Sequence, residues 1–220
     1  MQTSRFERFL PISGVIAGLL FALRDPILSW GAPSVDGDAA GYVRWVTDHG
    51  VATSISGFAA GYFAVAMLFF AVALRQALRS GEPGESTYSS AAFAGGLAVA
   101  LSVAVMGWVG LAATEAATAG NAAVVTTLGY ISDFGWIPWV AGSAVLFLST
   151  GLGGWRMAVL PKPLAIATVV LGILCLTGPT GIAVFLLTPV WLIVTGIVLH
   201  RRLSASSPAA APGVRVRATA

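Results

Sequence analysis

Seven side chains in this sequence could do polar chemistry together: Arg24, Asp25, Arg44, Asp48, His49, Glu115 and Asp133, each close to the end of an apolar stretch. A histidine set among carboxylates is a proton-transfer arrangement, and if His49, Glu115 and Asp133 converged they could act on a lipid headgroup at a membrane surface. The simpler reading is a solvated ring of charges with one structural ion pair. An acid at Asp133, opening a helix, is favoured by the helix dipole. A carboxylate at Glu115, closing one, is disfavoured by it and calls for a cation such as Arg24 or Arg44. The sharper alternative is an outward-facing cleft for a polar ligand or headgroup. No residue is expected to be catalytic in the simpler reading.

Other chemistry is excluded by what the apolar segments lack. None carries Asp, Glu, Lys, Arg or His near its middle, so an intramembrane proton relay or ion-coupled carrier has no titrating group. Bis-histidine haem needs two histidines within one bundle, and His49 and His200 fall on opposite faces. A retinal Schiff base would need a lysine inside a span, and Lys162 lies in a loop. No H-E-x-x-H or C-x-x-C occurs, which argues against zinc. Gly151-Leu152-Gly153-Gly154 lacks the Lys-Ser/Thr ending of a phosphate loop. A lone cysteine, Cys175, leaves no disulfide within the monomer. No cofactor or metal is expected.

The elements that must position these residues are membrane spans. The chain is 57% apolar and only 10% charged over 220 residues, with a mean hydropathy of +0.86, which is far from soluble composition. From Pro163 to Leu199 there are 37 residues without a charge, interrupted by Thr177-Gly178-Pro179-Thr180-Gly181. About 20 helical residues cross a bilayer, so this run is a two-span hairpin. Together with four other uncharged stretches it predicts six spans, at about residues 6–23, 52–74, 90–113, 132–153, 163–178 and 181–200. The expected fold is an all-α, six-transmembrane-helix bundle over residues 1–203, with a disordered cytoplasmic tail at 204–220. Positive charge orients it with both ends inside: Arg5, Arg8, Arg75, Arg79, Arg156, Lys162, Arg201, Arg202, Arg215 and Arg217 face the cytoplasm, and only Arg24 and Arg44 face out. The net charge of +3 is therefore a topology signal, with no nucleic-acid partner implied. A cleaved signal peptide is the competing reading of the first apolar run, opposed by Arg24-Asp25 before any cleavage site.

Between spans 1 and 2, Asp38 can cap a short helix ending at Gly50 that carries Tyr42, Trp45, Val46 and His49 on one face, as an interfacial helix would. Gly14-x-x-x-Gly18 and Gly57-x-x-x-Gly61 are expected at close helix contacts, within the monomer or across a dimer. Pro138 and Pro189 are read as kinks within spans 4 and 6. Of seven tryptophans, Trp30, Trp45, Trp136 and Trp155 suit the interfaces, whereas Trp108 and Trp139 are expected in the core.

Four segments carry a resemblance: Asp38-Ala39-Ala40-Gly41-Tyr42-Val43-Arg44-Trp45-Val46, the glycine-rich span after it, the exit Ala73-Leu74-Arg75-Gln76-Ala77-Leu78-Arg79, and Leu128-Gly129-Tyr130-Ile131-Ser132-Asp133. Their order resembles a family of uncharacterised integral membrane proteins common in actinobacteria, a domain of unknown function, over residues 6 to about 203. The Arg-over-Lys bias of eleven to one also suits a GC-rich bacterial genome. The resemblance implies the membrane fold and no activity. The resulting expectation is a multi-pass plasma-membrane protein whose partners are membrane lipids, a second copy or another membrane protein. The alternatives are a small carrier or channel for a neutral or weakly polar solute, lined by groups such as Ser102, Ser143 and Thr188, and a headgroup-directed enzyme.

Overall fold

The computed structural model describes residues 9–24, 31–177 and 180–205, and among them all regular structure is helical. In chain order the helices are α1 (Ile12–Ala22), α2 (Ala39–Asp48), α3 (Gly50–Arg79), α4 (Thr87–Thr118), α5 (Ala122–Phe134), α6 (Trp136–Arg156), α7 (Lys162–Cys175) and α8 (Gly181–Ala205). α5 and α6 run on through Gly135 as one stretch, Ala122–Arg156. By length and composition α3, α4, this stretch and α8 can each cross a membrane, whereas α1 and α7 are apolar but have 11 and 14 residues. Where six spans are expected there are thus four long apolar helices and two short ones. The charge-free run divides unequally, because α7 stops at Cys175 and α8 continues past Arg201 and Arg202. Gly178 and Pro179 of the hairpin turn and residues 206–220 of the expected tail lie outside the described residues.

Helix ends follow local chemistry. α3 outlasts its apolar stretch because Arg75, Gln76, Ala77, Leu78 and Arg79 are all strong helix formers. After the turn at Gly84, whose φ is +79°, Glu82 reaches across to the start of α4. Its carboxylate accepts hydrogen bonds from the Tyr88 N–H at 2.7 Å, the Ser89 N–H at 3.3 Å and Ser89 Oγ at 2.7 Å. α4 ends at Gly120, with a φ of +72°, and Asn121 caps α5 by accepting from the Val124 N–H at 3.3 Å. α5 occupies residues the sequence reading leaves between spans. Its Val, Thr and Ile content is a poor helix signal, and burial of Val125 and Gly129 against α2 and α4 holds it. Pro138 is the third residue of α6, where no intrahelical N–H bond is lost, so only Pro189 interrupts a helix interior. There Thr188 Oγ1 donates to the Val184 carbonyl at 2.8 Å.

The six apolar helices close a ring in chain order: α1 on α3, α3 on α4, α4 on α6, α6 on α7, α7 lightly on α8, and α8 back on α1. Glycines set the closest approaches. A Cβ built on Gly18 would lie 2.6 Å from the Pro189 carbonyl oxygen on α8, and one on Gly14 would lie 2.6 Å from the Phe70 ring on α3 and 3.1 Å from the Leu192 carbonyl oxygen. One on Gly57 would lie 2.5 Å from Leu111 and 3.0 Å from the Gly107 carbonyl oxygen on α4, whereas Gly61 borders open space. Without side chains at these points the backbones approach closely and gain dispersion contact.

Aromatic rings fill the axis in two layers. Near the end that carries α2, Phe21 packs on Phe63 (centroids 5.3 Å apart), on Trp139 (6.2 Å) and on Phe185 (4.8 Å), which joins α1, α3, α6 and α8. Two turns deeper, Trp191 of α8 takes Phe70 at 6.0 Å and Phe147 at 4.7 Å, both edge-on. Beyond them Leu74, Leu78 and Leu199 are buried towards the opposite end. Trp108, expected in the core, is instead 68% exposed on the outside of α4.

Candidate functional site

At the α2 end the expected polar residues make both local contacts and a contact that joins the segment before α2 to α5. Asp38 caps α2, accepting from the Gly41 N–H at 2.7 Å, and the same carboxylate lies 3.9 Å from Arg44. That ion pair is solvent-exposed, with 73% of the Arg44 side chain accessible, so it contributes little. His49 ends α2. Its Nδ1–H donates to the Trp45 carbonyl at 2.9 Å and its ring stacks on the Trp45 indole, 4.7 Å between centroids. These contacts occupy one ring nitrogen and fix the imidazole against its own helix.

Glu115 lies in the last turn of α4, exposed, and makes no ion pair among the described residues. Arg24 is buried where α1 runs out, and its carbonyl oxygen accepts from Ser56 Oγ at 3.5 Å. Asp25 and Trp30 lie outside the described residues. Asp133 falls in the last turn of α5, ahead of α6, rather than in the first turn of a span. It accepts from Ser34 Oγ at 3.3 Å. Burial, and secondarily the charge of Asp133, push the Tyr42 phenol above its usual value of 10.0, so Tyr42 remains a neutral donor. Tyr42 joins Val43, Trp45 and Leu128 around buried Val46, Ala113 and Val125, a small second core that seats α2 on α4 and α5. Ser34 and Tyr42 were not candidates from sequence, and only Tyr42 had a signal, its place on the apolar face of α2. Among the described residues no hydrogen bond or ion pair joins His49, Glu115 and Asp133 to one another, and no group of three His, Cys, Asp or Glu side chains suited to a metal occurs among them.

The ring interior holds a different set. Along α6 the inward stripe is Trp139, Ser143, Phe147 and Thr150, spaced four, four and three apart, which keeps one helix face. Across the axis α8 presents Phe185, Thr188, Trp191 and Thr195. Trp191 Nε1 donates to Thr168 Oγ1 of α7 at 2.8 Å, and Thr168 donates to the Leu164 carbonyl at 2.7 Å. The Trp139 indole nitrogen and the hydroxyls of Ser143, Thr150 and Thr195 are buried with no hydrogen-bond partner. Ser102, named with Ser143 and Thr188 as a pathway group, donates to the Ala98 carbonyl of its own helix at 2.7 Å.

On the lateral surface, a groove of about 360 Å³ between α3 and α4 is lined by Gly61, Tyr62, Val65, Ala104 and Trp108. Its floor is the missing side chain of Gly61. Comparison with protein-family models, with curated proteins and with solved structures finds no match to this chain.

Proposed function

We propose that this chain is an integral membrane protein of six spans, with the first residues of α1 and the last of α8 on the cytoplasmic side. In this reading it acts as a non-enzymatic membrane component through contact with lipid and with membrane-protein partners. One observation carries it: large apolar side chains are exposed along the lateral surface, while the described charges gather at the two ends. Phe58, Tyr62, Phe69, Leu101, Val105, Trp108, Val170, Leu186 and Val190 are all exposed between those ends. In water such a surface would aggregate, and in a bilayer it is solvated by acyl chains. Arg75, Arg79, Arg156, Lys162, Arg201 and Arg202 collect at one end, and Arg24 and Arg44 at the other, which supports the orientation. The short α1 and α7 are accommodated by local thinning of the bilayer or by tilt of their longer neighbours. In this reading the arginine-over-lysine bias of the sequence supports placing it in a bacterial plasma membrane.

No hydrogen bond joins His49, Glu115 and Asp133 among the described residues, so the headgroup-directed enzyme has no contact in its favour. The unpartnered axial hydroxyls favour a second reading, passage of a small solute. For the leading reading, alkaline carbonate treatment of membranes from cells expressing the chain should leave it in the pellet, with only detergent releasing it. Recovery in the carbonate wash would refute it.

A further inference from the structure

We propose that the axis of the helix ring is a closed path for a small uncharged solute that hydrogen-bonds, of the size class of water, urea and glycerol. The inference rests on the membrane-spanning reading and goes beyond it. Its first support is the stripe on α6, where Trp139, Ser143 and Thr150 all bring a polar atom to the interior and all three lack a partner. Buried hydroxyls in helices ordinarily donate to the carbonyl four residues earlier, as Ser102, Thr168 and Thr188 do here. Ser143, Thr150 and Thr195 make no such bond.

The second support is their position. Phe147 and Trp191 touch edge-on, which puts α6 and α8 in register, so that Thr150, three residues after Phe147, and Thr195, four after Trp191, come to the same depth. Ser143 sits one turn from Trp139 and one from Phe147, between the two aromatic layers. Pro189 has no N–H to give the Phe185 carbonyl, which leaves that carbonyl without its usual helical partner. Donors and acceptors therefore recur down the axis.

The third support is the nature of the closures. Phe21, Phe63, Trp139 and Phe185 seal the α2 end, Phe70, Phe147 and Trp191 close the middle, and Leu74, Leu78 and Leu199 the other end. These are side chains that rotate, rather than backbone. Among the described residues no charged side chain lies on the axis between the closures, so nothing there offsets the desolvation of an ion, and the solute class is restricted to neutral molecules. The thinnest contact of the ring, α7 on α8, lies beside Trp191 and Thr168 and is where widening disturbs least.

The test uses the full chain reconstituted in phospholipid vesicles, with shrinkage and recovery followed by stopped-flow light scattering in sucrose, urea and glycerol gradients. Recovered vesicles are first floated on a density gradient. The expected result is permeability to at least one of water, urea and glycerol several-fold above protein-free vesicles. Thr195→Val, which keeps the shape and removes the hydroxyl, should cut it severalfold, and Ser143→Leu, which blocks the axis, should abolish it. Permeability equal to that of protein-free vesicles for all three overturns the path and leaves the hydroxyls as holders of trapped water only. Permeability that is unchanged in both variants overturns its location. A chain that fails to float with the vesicles overturns the membrane reading as well, whereas a floated chain without flux overturns the path alone.

Discussion

Alanine at Gly95 puts a methyl group into the crossing of α4 and α6, where its carbon would press most closely on the Leu146 backbone nitrogen and lie 2.8 Å from both the Gly142 carbonyl oxygen and the Leu146 Cα. All three are backbone atoms and cannot rotate away. Ordinary carbon contacts need about 3.5–4.0 Å, so the helices must part by roughly 0.7–1.2 Å. A gap of about that size forfeits a quarter to a half of each dispersion contact. For a crossing of about 30 atom pairs at ~0.1–0.2 kcal/mol each, the loss is roughly 1–3 kcal/mol, the range found for overpacked cores. Gly61→Ala is the matched control, since nothing lies within 4 Å of its Cβ position. Both substitutions gain the helix preference of alanine over glycine, about 1 kcal/mol in water. The difference between the variants is therefore about 1–3 kcal/mol, or roughly 2–12 °C in Tm at about 2–4 °C per kcal/mol for a chain of this size. Thermal unfolding of purified protein in detergent, followed by size-exclusion with tryptophan fluorescence, measures it. Equal Tm values for the two variants would falsify the claim that glycine-mediated backbone contact holds this ring together.

Two further outcomes follow from hydrogen bonds. Thr168→Val strands the buried Trp191 N–H and should cost about 1–3 kcal/mol by the same assay, whereas Trp191→Phe with Thr168→Val together should cost less than the sum of the two single changes; strict additivity counts against the bond. Desolvation works against the Glu82 carboxylate, yet hydrogen bonds from Ser89 Oγ and the Tyr88 and Ser89 N–H groups, with the charge of Arg79, hold its pKa below the ordinary 4.5. A depressed carboxylate pKa contributes stability that is present above 4.5 and lost as pH falls through the lower folded value. Glu82→Gln should therefore lower Tm at neutral pH and converge on the parent in acid, and a difference that persists below the folded pKa contradicts the capping role.

Helical, apolar character was legible in the sequence because charge is excluded from whole spans, and the Asp38 cap was legible because its chemistry is local. α5 was not. Its residues Val124, Val125, Thr126, Thr127 and Ile131 have weak helix preference, and it is held by α2, a contact between segments some 80 residues apart. Gly120 and Asn121, a stop followed by a cap, were the one signal for it. The partners of the end charges were equally hidden, since topology gives a common face and says nothing of distances within it. Ser143, Thr150 and Thr195 each read as a tolerated small polar residue in an Ala/Gly-rich span. Their shared depth depends on the register of α6 and α8, which the Phe147–Trp191 contact sets. Trp108 misled for a related reason: in a bilayer an aromatic ring pays no penalty for facing outward.

The central claim is that charge sorts the two ends of this bundle across a membrane. The most direct measurement labels single cysteines with a membrane-impermeant maleimide in a Cys175→Ala background, at Asp48→Cys on α2 and at Glu85→Cys in the loop before α4, both exposed positions. The account predicts labelling at 48 in intact cells and at 85 only after permeabilisation. Labelling of both positions in intact cells, or the reverse pattern, contradicts it.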